Sequence, residues 1–264
     1  MNNYYIHNLD PIAFNLFGLP MPWYWLVYFL GYFWILWFCN YLYKKKYTDF
    51  GGGDLLSFIF PCFFILLLSG KLFYILFYNL NHYLANPAKV FAVWEGGMSF
   101  HGALIGCAFW THLYAKKNGY SFFKISDTVI TGVPLVLFFG RMANFINGEL
   151  AGRVTDMPWA VVFPKFYDQA PRHPSQIYEA LLEGILLFII LFLTRKKIKD
   201  EGVQSSMFLI GYGLARFFVE FFRMPDPQIG YILNFFTIGQ LYCFVMIALG
   251  VFFLRKKITT LSFS

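Results

Sequence analysis

Charged residues are scarce in this chain, and their scarcity indicates its class. Asp, Glu, Lys and Arg make up 13% of the 264 residues, roughly half the share that a soluble domain carries. Hydrophobic residues make up 58% and aromatic residues 23%. A soluble protein of this length has too little core to bury so much apolar surface, whereas a lipid bilayer accepts it. The composition therefore predicts an integral membrane protein, and the length favours one helical bundle over two soluble domains.

Cysteine is also scarce, and its spacing does not suggest a metal site or a disulfide framework. Each cysteine lies inside an apolar run, so we expect small buried side chains, with a catalytic thiol as the minor alternative: Cys39, Cys62, Cys107 and Cys243. A basic N-terminal segment is missing as well, because the first basic residue is Lys44. Without it we expect no cleavable signal peptide, and the first apolar run stays as a membrane span.

Apolar runs of nearly membrane-crossing length recur along the chain. About 20 helical residues cross the core of a bilayer, and seven runs approach this length: 23–43, 55–79, 99–115, 126–146, 176–194, 204–222 and 236–254. The longest polar stretch, residues 147–175, separates the fourth run from the fifth. We therefore predict an all-α bundle of about seven transmembrane helices, a single membrane domain over residues 1–264. Residues 147–175 are expected to form a small extracytoplasmic cap.

The basic residues predict the orientation of this bundle. The net charge is +7, which in a soluble chain would suggest nucleic-acid binding, but here the bases flank apolar runs, as is typical of membrane topology. With seven spans, thirteen of the 21 Lys and Arg fall on one side: Lys44, Lys45, Lys46, Lys116, Lys117, Lys124, Arg195, Lys196, Lys197, Lys199, Arg255, Lys256 and Lys257. Basic clusters mark the cytoplasmic side, so we expect the N-terminus outside and the C-terminus inside.

Several polar residues lie at membrane depth, where topology gives them no role. A charge inside a bilayer costs a few kcal/mol, so it is a functional hypothesis by default. In the predicted orientation these residues share the outer half of the bundle, and we expect them to converge on one inward-facing polar cavity: Tyr24, His101, Arg141, Asn144, His173, Gln176, Tyr178, Glu179, Glu183, Arg216, Glu220 and Arg223.

Arg141 and Arg216 resist a purely structural explanation, because two buried guanidinium groups need anions. Glu220 lies one helical turn after Arg216, whereas Arg141 has no evident acid inside a span. A bound phosphate would satisfy both arginines through forked, charge-assisted hydrogen bonds. Structural alternatives stay open: Glu220 paired with Arg216 or Arg223, Glu179 and Glu183 neutralising nearby bases, Tyr24 as an interfacial anchor, Arg223 at the headgroups, and His101 as a packing residue.

Many of these polar residues lie within a few conspicuous segments. The segments are WYWLVYFLG near the start, WEGGMSFHGALIG (94–106), GRMANFINGELAGR (140–153), RHPSQIYEALLEG (172–184), GYGLARFFVEFFRMPD (211–226) and the pair Gly239–Gln240. In this order, over nearly the whole chain, they resemble the prolipoprotein diacylglyceryl transferase family. Two departures are visible. Ala103 stands where many members have a second glycine, and the stretch between Arg153 and Arg172 looks short beside longer members.

The resemblance implies an enzyme of the bacterial plasma (inner) membrane with seven spans, working at the outer leaflet without a metal or soluble cofactor. The family transfers the sn-1,2-diacylglyceryl group from phosphatidylglycerol to the lipobox cysteine of a prolipoprotein signal peptide. A thioether forms and glycerol 1-phosphate leaves. We therefore expect these two substrates and membrane lipids as partners, no nucleic acid, and a monomer.

The resemblance also implies roles for residues of this chain. His101, Arg141 and Arg216 are the implied catalytic residues, with His101 the candidate base for the thiol. The two arginines would stabilise the leaving phosphate. The implied binding residues for phosphatidylglycerol are Arg141, Asn144, Asn147, Tyr24, Gly152 and Glu220, with Glu149, Gln176, Glu179 and Arg223 in support.

Two other classes of function fit parts of this pattern. A transporter or flippase for an anionic lipid would also use intramembrane arginines. It predicts polar residues through the whole depth of the bundle, or inverted repeats, and the sequence shows neither. A non-catalytic membrane scaffold would leave two buried arginines and a buried histidine unexplained. The sequence therefore favours the transferase.

Overall fold

The computed structural model describes residues 4–91, 97–224, 231–232 and 236–261, and helices dominate them. Each of the seven apolar runs is mostly helical, which confirms the prediction of an all-α membrane protein. The helices are α1 (Trp23–Lys44), α2 (Gly53–Tyr78), α3 (Leu80–Ala85), α4 (Phe100–Asn118), α5 (Phe122–Ile130), α6 (Val133–Asn147), α7 (Ser175–Glu179), α8 (Leu187–Lys197), α9 (Val203–Val219) and α10 (Ile238–Leu261), with a 3₁₀ turn at Pro87–Phe91.

Within the described ranges, four helices are long and apolar enough to cross a membrane by themselves. They are α1, α2, the continuous helix Ser175–Lys197, and the part of α10 from Gly239 to Lys256. Helices α5 and α6 form a fifth candidate, a span bent at the short break between them. Helix α9 is apolar but has 17 residues, slightly fewer than the roughly 20 that cross a bilayer. The protein therefore crosses the membrane several times, and the number seven stays a prediction.

The chain divides into two compact units. The first contains Met1–Ile35 together with Val129–Ser264, and the second is Leu36–Thr128. In the second unit α2 packs along α4, and the indole Nε1 of Trp110 donates a hydrogen bond to the carbonyl of Phe58 at 3.0 Å. The first unit contains most of the polar residues predicted for the site. The single membrane domain stays a prediction.

In the first unit, the residues between α6 and α7 form a small layer of strands. Strand β4 (Val161–Val162) pairs in parallel with β1 (Tyr5–Ile6) and antiparallel with β5 (Pro171–Arg172). Strands β4 and β5 lie in the predicted cap segment and β1 near the N-terminus, and the extracytoplasmic location of the segment stays a prediction. The other strands are the hairpin β2 (Ile12–Leu16) and β3 (Leu19–Pro22), and the pair β6 (Tyr231–Ile232) and β7 (Phe236–Thr237).

A π-helical turn, Ala180–Leu186, joins α7 to α8. Such turns frequently occur at functional sites. At Gly184 this turn lies against α6 so closely that a Cβ atom would be 2.6 Å from the Cβ atom of Phe138. Only glycine allows this approach without a shift of the backbone. The close packing brings the acidic side chains of the Ser175–Lys197 helix within reach of Arg141 on α6.

Candidate functional site

Glu179, the last residue of α7, contacts three arginines with one carboxylate. Its Oε2 atom lies 3.0 Å from Nε of Arg141 on α6. Its Oε1 atom accepts hydrogen bonds from Nη1 of Arg216 on α9 and, at 3.1 Å, from Nη1 of Arg223 in the turn that follows α9. The carboxylate is fully buried. One buried acid therefore positions three guanidinium groups.

Two more acids complete this group of charges. Glu183, in the π-helical turn, accepts a hydrogen bond from Nη2 of Arg141 at 3.3 Å. Glu220 Oε2 lies 2.7 Å from Nη2 of Arg216. Buried charges are tolerated only when they are paired, and here three positive charges face three negative ones. We call these six residues the arginine–glutamate cluster: Arg141, Glu179, Glu183, Arg216, Glu220 and Arg223.

The cluster keeps some capacity to bind an anion. The side chains of Arg141 and Arg216 are 19% and 15% exposed, whereas Glu179 and Glu183 are fully buried. Arg141 contacts the two acids through Nε and Nη2, and its Nη1 group makes no hydrogen bond to any residue that the structure describes. A guanidinium group carries five N–H donors in a planar fork. The remaining donors of Arg141 therefore suit the oxygens of a phosphate or carboxylate.

A second polar group surrounds Glu149, in the loop after α6. Its Oε1 atom accepts hydrogen bonds from the side-chain amides of Asn144 at 2.7 Å and Asn147 at 3.1 Å. The amide of Gln176 donates to the Glu149 carbonyl at 2.7 Å. In the described part of the chain, the side-chain oxygens of Asn147 and Gln176 are buried without a hydrogen-bond partner. Such acceptors cost free energy, which a hydroxyl group of a ligand would offset.

Gly152 connects this loop to the end of α9. Its N–H donates to the His173 carbonyl at 2.8 Å, and the next N–H, of Arg153, donates to the Phe222 carbonyl at 2.8 Å. The Arg153 Nε donates to the carbonyl of Arg223 at 2.9 Å. A Cβ atom at Gly152 would lie 2.7 Å from the His173 carbonyl oxygen. A side chain has no room here, and the loop positions Arg223 through backbone contacts.

Two ionisable side chains between α6 and α7 have shifted pKa values. Arg172 Nη2 donates to Asp168 at 2.9 Å, and this hydrogen bond holds the pKa of the exposed Asp168 carboxyl below its ordinary value. Burial lowers the pKa of the His173 imidazole, whose Nδ1 lies 3.1 Å from the hydroxyl of Tyr178. At pH 7 we therefore expect an ionised Asp168 and a neutral His173.

Comparison with known sequences identifies the family. The family model described as prolipoprotein diacylglyceryl transferase matches residues 11–255. Over 244 residues the chain is 43% identical to the phosphatidylglycerol–prolipoprotein diacylglyceryl transferase of Vibrio campbellii, covering 92% of this chain and 89% of that protein. The chain belongs to the prolipoprotein diacylglyceryl transferase family. Proteins of the same name from Pseudomonas entomophila and Ehrlichia ruminantium are 44% and 42% identical over 249 and 252 residues, with 92% and 94% of this chain and 92% and 96% of those proteins covered.

In this family member, the structure brings together most of the residues that the resemblance implied. Of the two pairings left open for Glu220, the structure shows the one with Arg216, at the spacing of one helical turn. The structure places the implied residues in three groups: Arg141, Arg216, Glu179, Glu220 and Arg223 in the cluster, Asn144, Asn147, Glu149 and Gln176 around the Glu149 side chain, and Gly152 between the two.

The sequence left the anion of Arg141 open. No acid inside a span was evident for this arginine, and the structure shows the alternative in which Glu179 and Glu183 neutralise a nearby base, since both contact Arg141. The reason is tertiary: the acids lie on another helix, and the sequence does not say which helices are neighbours. Glu183 was expected in the polar cavity, but the resemblance gave it no catalytic or binding role. Its one signal in the sequence is its position four residues after Glu179 in an otherwise apolar run.

Two predicted residues have no described contact with the cluster. Tyr24 lies in the first turn of α1, where its ring centroid is 5.3 Å from that of Tyr28. His101 is the second residue of α4, and its side chain lies outside the described residues, as do residues 94–96 of the segment 94–106. Their roles in binding and catalysis stay predictions, and so does the polar cavity.

Proposed function

We propose that the protein transfers the sn-1,2-diacylglyceryl group of phosphatidylglycerol to the thiol of the lipobox cysteine in a prolipoprotein signal peptide. A thioether forms, and glycerol 1-phosphate is released. The observation that carries this proposal is the pair of partly exposed guanidinium groups, Arg141 and Arg216, on the two oxygens of Glu179. Relatives that share more than two fifths of their residues with this chain are named for the same activity.

The headgroup of phosphatidylglycerol suits the cluster in charge and in hydrogen bonding. Its phosphate diester carries one negative charge, and guanidinium groups bind phosphate oxygens through paired hydrogen bonds. Arg141 and Arg216 are the residues that we assign to this phosphate. The unsatisfied side-chain oxygens of Asn147 and Gln176 suit the hydroxyl groups of the glycerol. Asn144, Glu149 and Gly152 would support that contact through the loop after α6, and we assign Tyr24 a further hydrogen bond to the headgroup.

The reaction requires a thiolate to attack the terminal glyceryl carbon while the phosphate leaves. A free thiol has a pKa of about 8.5, so a base must accept its proton, and we assign this role to His101. As the carbon–oxygen bond breaks, negative charge develops on the phosphate oxygen, and preorganised cations stabilise it. Arg141 and Arg216 would supply them, with Glu220 orienting Arg216. The nucleophile belongs to the peptide, so the enzyme needs no cysteine in its site.

We also propose the bacterial plasma (inner) membrane as the location, with the protein as a monomer. The basic clusters at or near the C-terminal ends of α1, α4, α8 and α10 support a cytoplasmic C-terminus and an N-terminus outside. In this orientation residues 147–175 form the extracytoplasmic cap. Phosphatidylglycerol would reach the cluster from the outer leaflet, and the signal peptide from the same side.

A transfer assay tests this function. Purified protein in detergent is incubated with phosphatidylglycerol and a lipobox peptide, beside a Cys→Ser peptide. We expect the mass of one diacylglyceryl group to be added to the cysteine peptide only. Arg141→Ala should lower the initial rate by about 100-fold or more. Arg255→Ala, which changes an exposed arginine near the end of α10, should retain the parent rate.

The opposite result would be equally clear. If folded protein leaves the cysteine peptide unmodified while a relative modifies it under the same conditions, the transferase assignment is wrong. Transport of an anionic lipid would then be the function to test in vesicles.

A further inference from the structure

The arginine–glutamate cluster is electrically balanced before any substrate binds. Its three arginines and three glutamates are buried or nearly so, and an uncompensated buried charge is strongly unfavourable. A phosphatidylglycerol headgroup adds one negative charge. Arg153 donates to the backbone carbonyls of Arg223 and Glu220. Within the six residues of the cluster, neutrality on binding is kept when one of the acids takes up a proton.

Glu183 is the acid best placed to accept this proton. Glu179 contacts three arginines, and Glu220 lies 2.7 Å from Arg216. Glu183 contacts one arginine, at 3.3 Å, and its Oε1 atom is buried with no hydrogen-bond partner among the residues that the structure describes. Burial favours the neutral form of a carboxyl group, and nearby arginines oppose it. Among the three acids, Glu183 is the one whose neutral form the nearby arginines disfavour least.

The other ionisable groups around Glu183 do not change their charge near neutral pH. The charged residues of α8 lie in its last turn, away from the π-helical turn. Arginine stays protonated, whereas buried tyrosine and cysteine stay neutral. Among the residues that the structure describes, the groups that face Glu183 are Arg141 on α6, Glu179 on α7, Tyr212 and Arg216 on α9, and Cys243 on α10.

Building on the proposed function, we propose that Glu183 takes up one proton from solvent when the phosphate of phosphatidylglycerol binds at Arg141. An O–H bond forms on the carboxylate, and no bond of the lipid breaks in this step. The neutral carboxyl releases Nη2 of Arg141, which then donates to a phosphate oxygen. The headgroup replaces Glu183 as the anion of Arg141, and the cluster stays neutral. Glu183 is thus a positioning residue that links binding of the headgroup to protonation.

The proposal predicts the direction in which the affinity for the lipid changes with pH. When a protein takes up a proton as its ligand binds, the ligand is bound more tightly at low pH than at high pH. For one proton, the dissociation constant of the lipid rises about tenfold per pH unit over the range where Glu183 is ionised in the free protein and protonated in the complex. A diester phosphate does not titrate in this range, so the slope reports on the protein.

Isothermal titration calorimetry tests the inference with full-length protein in detergent and dihexanoyl phosphatidylglycerol, a soluble short-chain form of the lipid. Titrations at pH 8 in two buffers with different ionisation enthalpies give the number of protons taken up. We expect about one proton per lipid for the parent and none for Glu183→Gln, whose side chain is neutral at every pH. Glu201→Gln, in the turn before α9, is the matched control and should behave like the parent.

The transfer assay on the same preparations separates the two proposals. Binding without proton uptake, in protein that transfers the diacylglyceryl group, overturns the role of Glu183 and leaves the proposed function intact. Proton uptake that persists in Glu183→Gln also overturns it. Protein that neither binds the lipid nor modifies the peptide overturns both. If Glu183→Gln does not fold, the parent is compared with His101→Gln. No uptake by the parent, or loss of uptake in His101→Gln, overturns the inference, whereas uptake of about one proton by both supports it.

Discussion

Replacing Glu179 by Gln removes the one charge that three arginines share, at almost constant side-chain volume. The parent carboxylate is fully buried and contacts Arg141, Arg216 and Arg223. A glutamine offers one acceptor oxygen, and its amide group turns two donors towards guanidinium groups that are themselves donors. Removing one partner from a buried ion pair costs about 3–5 kcal/mol. We therefore expect Glu179→Gln to lower the free energy of unfolding by an amount in this range.

Glu179→Gln should also lower the rate of transfer, and by more than its loss of stability alone would suggest. Removing one preorganised donor to a developing oxyanion lowers kcat by about 100- to 1,000-fold. Glu179 positions both arginines that we assign to the leaving phosphate, so we expect the initial rate of transfer to fall by at least about 100-fold. The rate is measured by mass spectrometry of the lipobox peptide, and stability by thermal unfolding in detergent.

Two further variants make this prediction sharp. Glu179→Asp keeps the charge on a side chain one methylene shorter, so it should retain more activity than Glu179→Gln. Glu201→Gln makes the same chemical change in a turn outside the cluster and should leave both measurements at parent values. A Glu179→Gln protein that keeps more than about a third of the parent rate, well above the loss expected for even one donor, would refute the positioning role.

Two more predictions concern the segments around the cluster. Gly152→Ala places a methyl group against backbone oxygen atoms, so we expect a loss of about 1–3 kcal/mol in the free energy of unfolding; a parent-like unfolding curve would contradict the tight packing. His7 is buried, and burial lowers the pKa of its imidazole below the ordinary 6.5. The unfolded state then binds more protons, so the N-terminal segment should lose stability as the pH falls below about 6.5. A lower protection factor of the His7 N–H, which donates to the Val162 carbonyl, would show this once the exchange rate is corrected for its intrinsic pH dependence. His7→Phe should abolish the pH dependence of the protection factor.

The positions of the helices could be predicted well because the bilayer imposes a simple rule on composition. The first run, 23–43, corresponds to α1 at Trp23–Lys44, and the fifth, 176–194, to the helix Ser175–Lys197. The break within 126–146 was not predicted, although Pro134 in the first turn of α6 is a helix-start signal. A hydropathy average over about 20 residues does not register such local breaks.

The partners within the site were harder to predict than its members. Motif resemblance identified Arg141 and Glu179 separately, but their contact depends on the packing of α6 against α7 and the π-helical turn. Neither the turn nor the fit of Gly184 against Phe138 leaves a periodic signal in the sequence. Sequence reasoning therefore predicted the arginines and left the acid for Arg141 unassigned. It placed Glu183 in the polar cavity without a catalytic or binding role, because an acid in a span has no evident partner until the helices are arranged.

The number of arginine contacts divides the acids of the cluster into two kinds. Glu179, with three, resembles a fixed part of the scaffold, because any ligand that displaced it would have to satisfy three guanidinium groups at once. Glu183 and Glu220 have one arginine contact each, and that of Glu183 is the longer, at 3.3 Å against 2.7 Å. Glu183 is therefore the exchangeable acid, because a single phosphate oxygen replaces it. A membrane enzyme that binds an anionic headgroup needs both kinds: without substrate, its arginines would otherwise be buried without anions. Loss of the fixed acid should therefore lower stability and turnover together, whereas loss of the exchangeable acid should change the pH dependence of lipid binding.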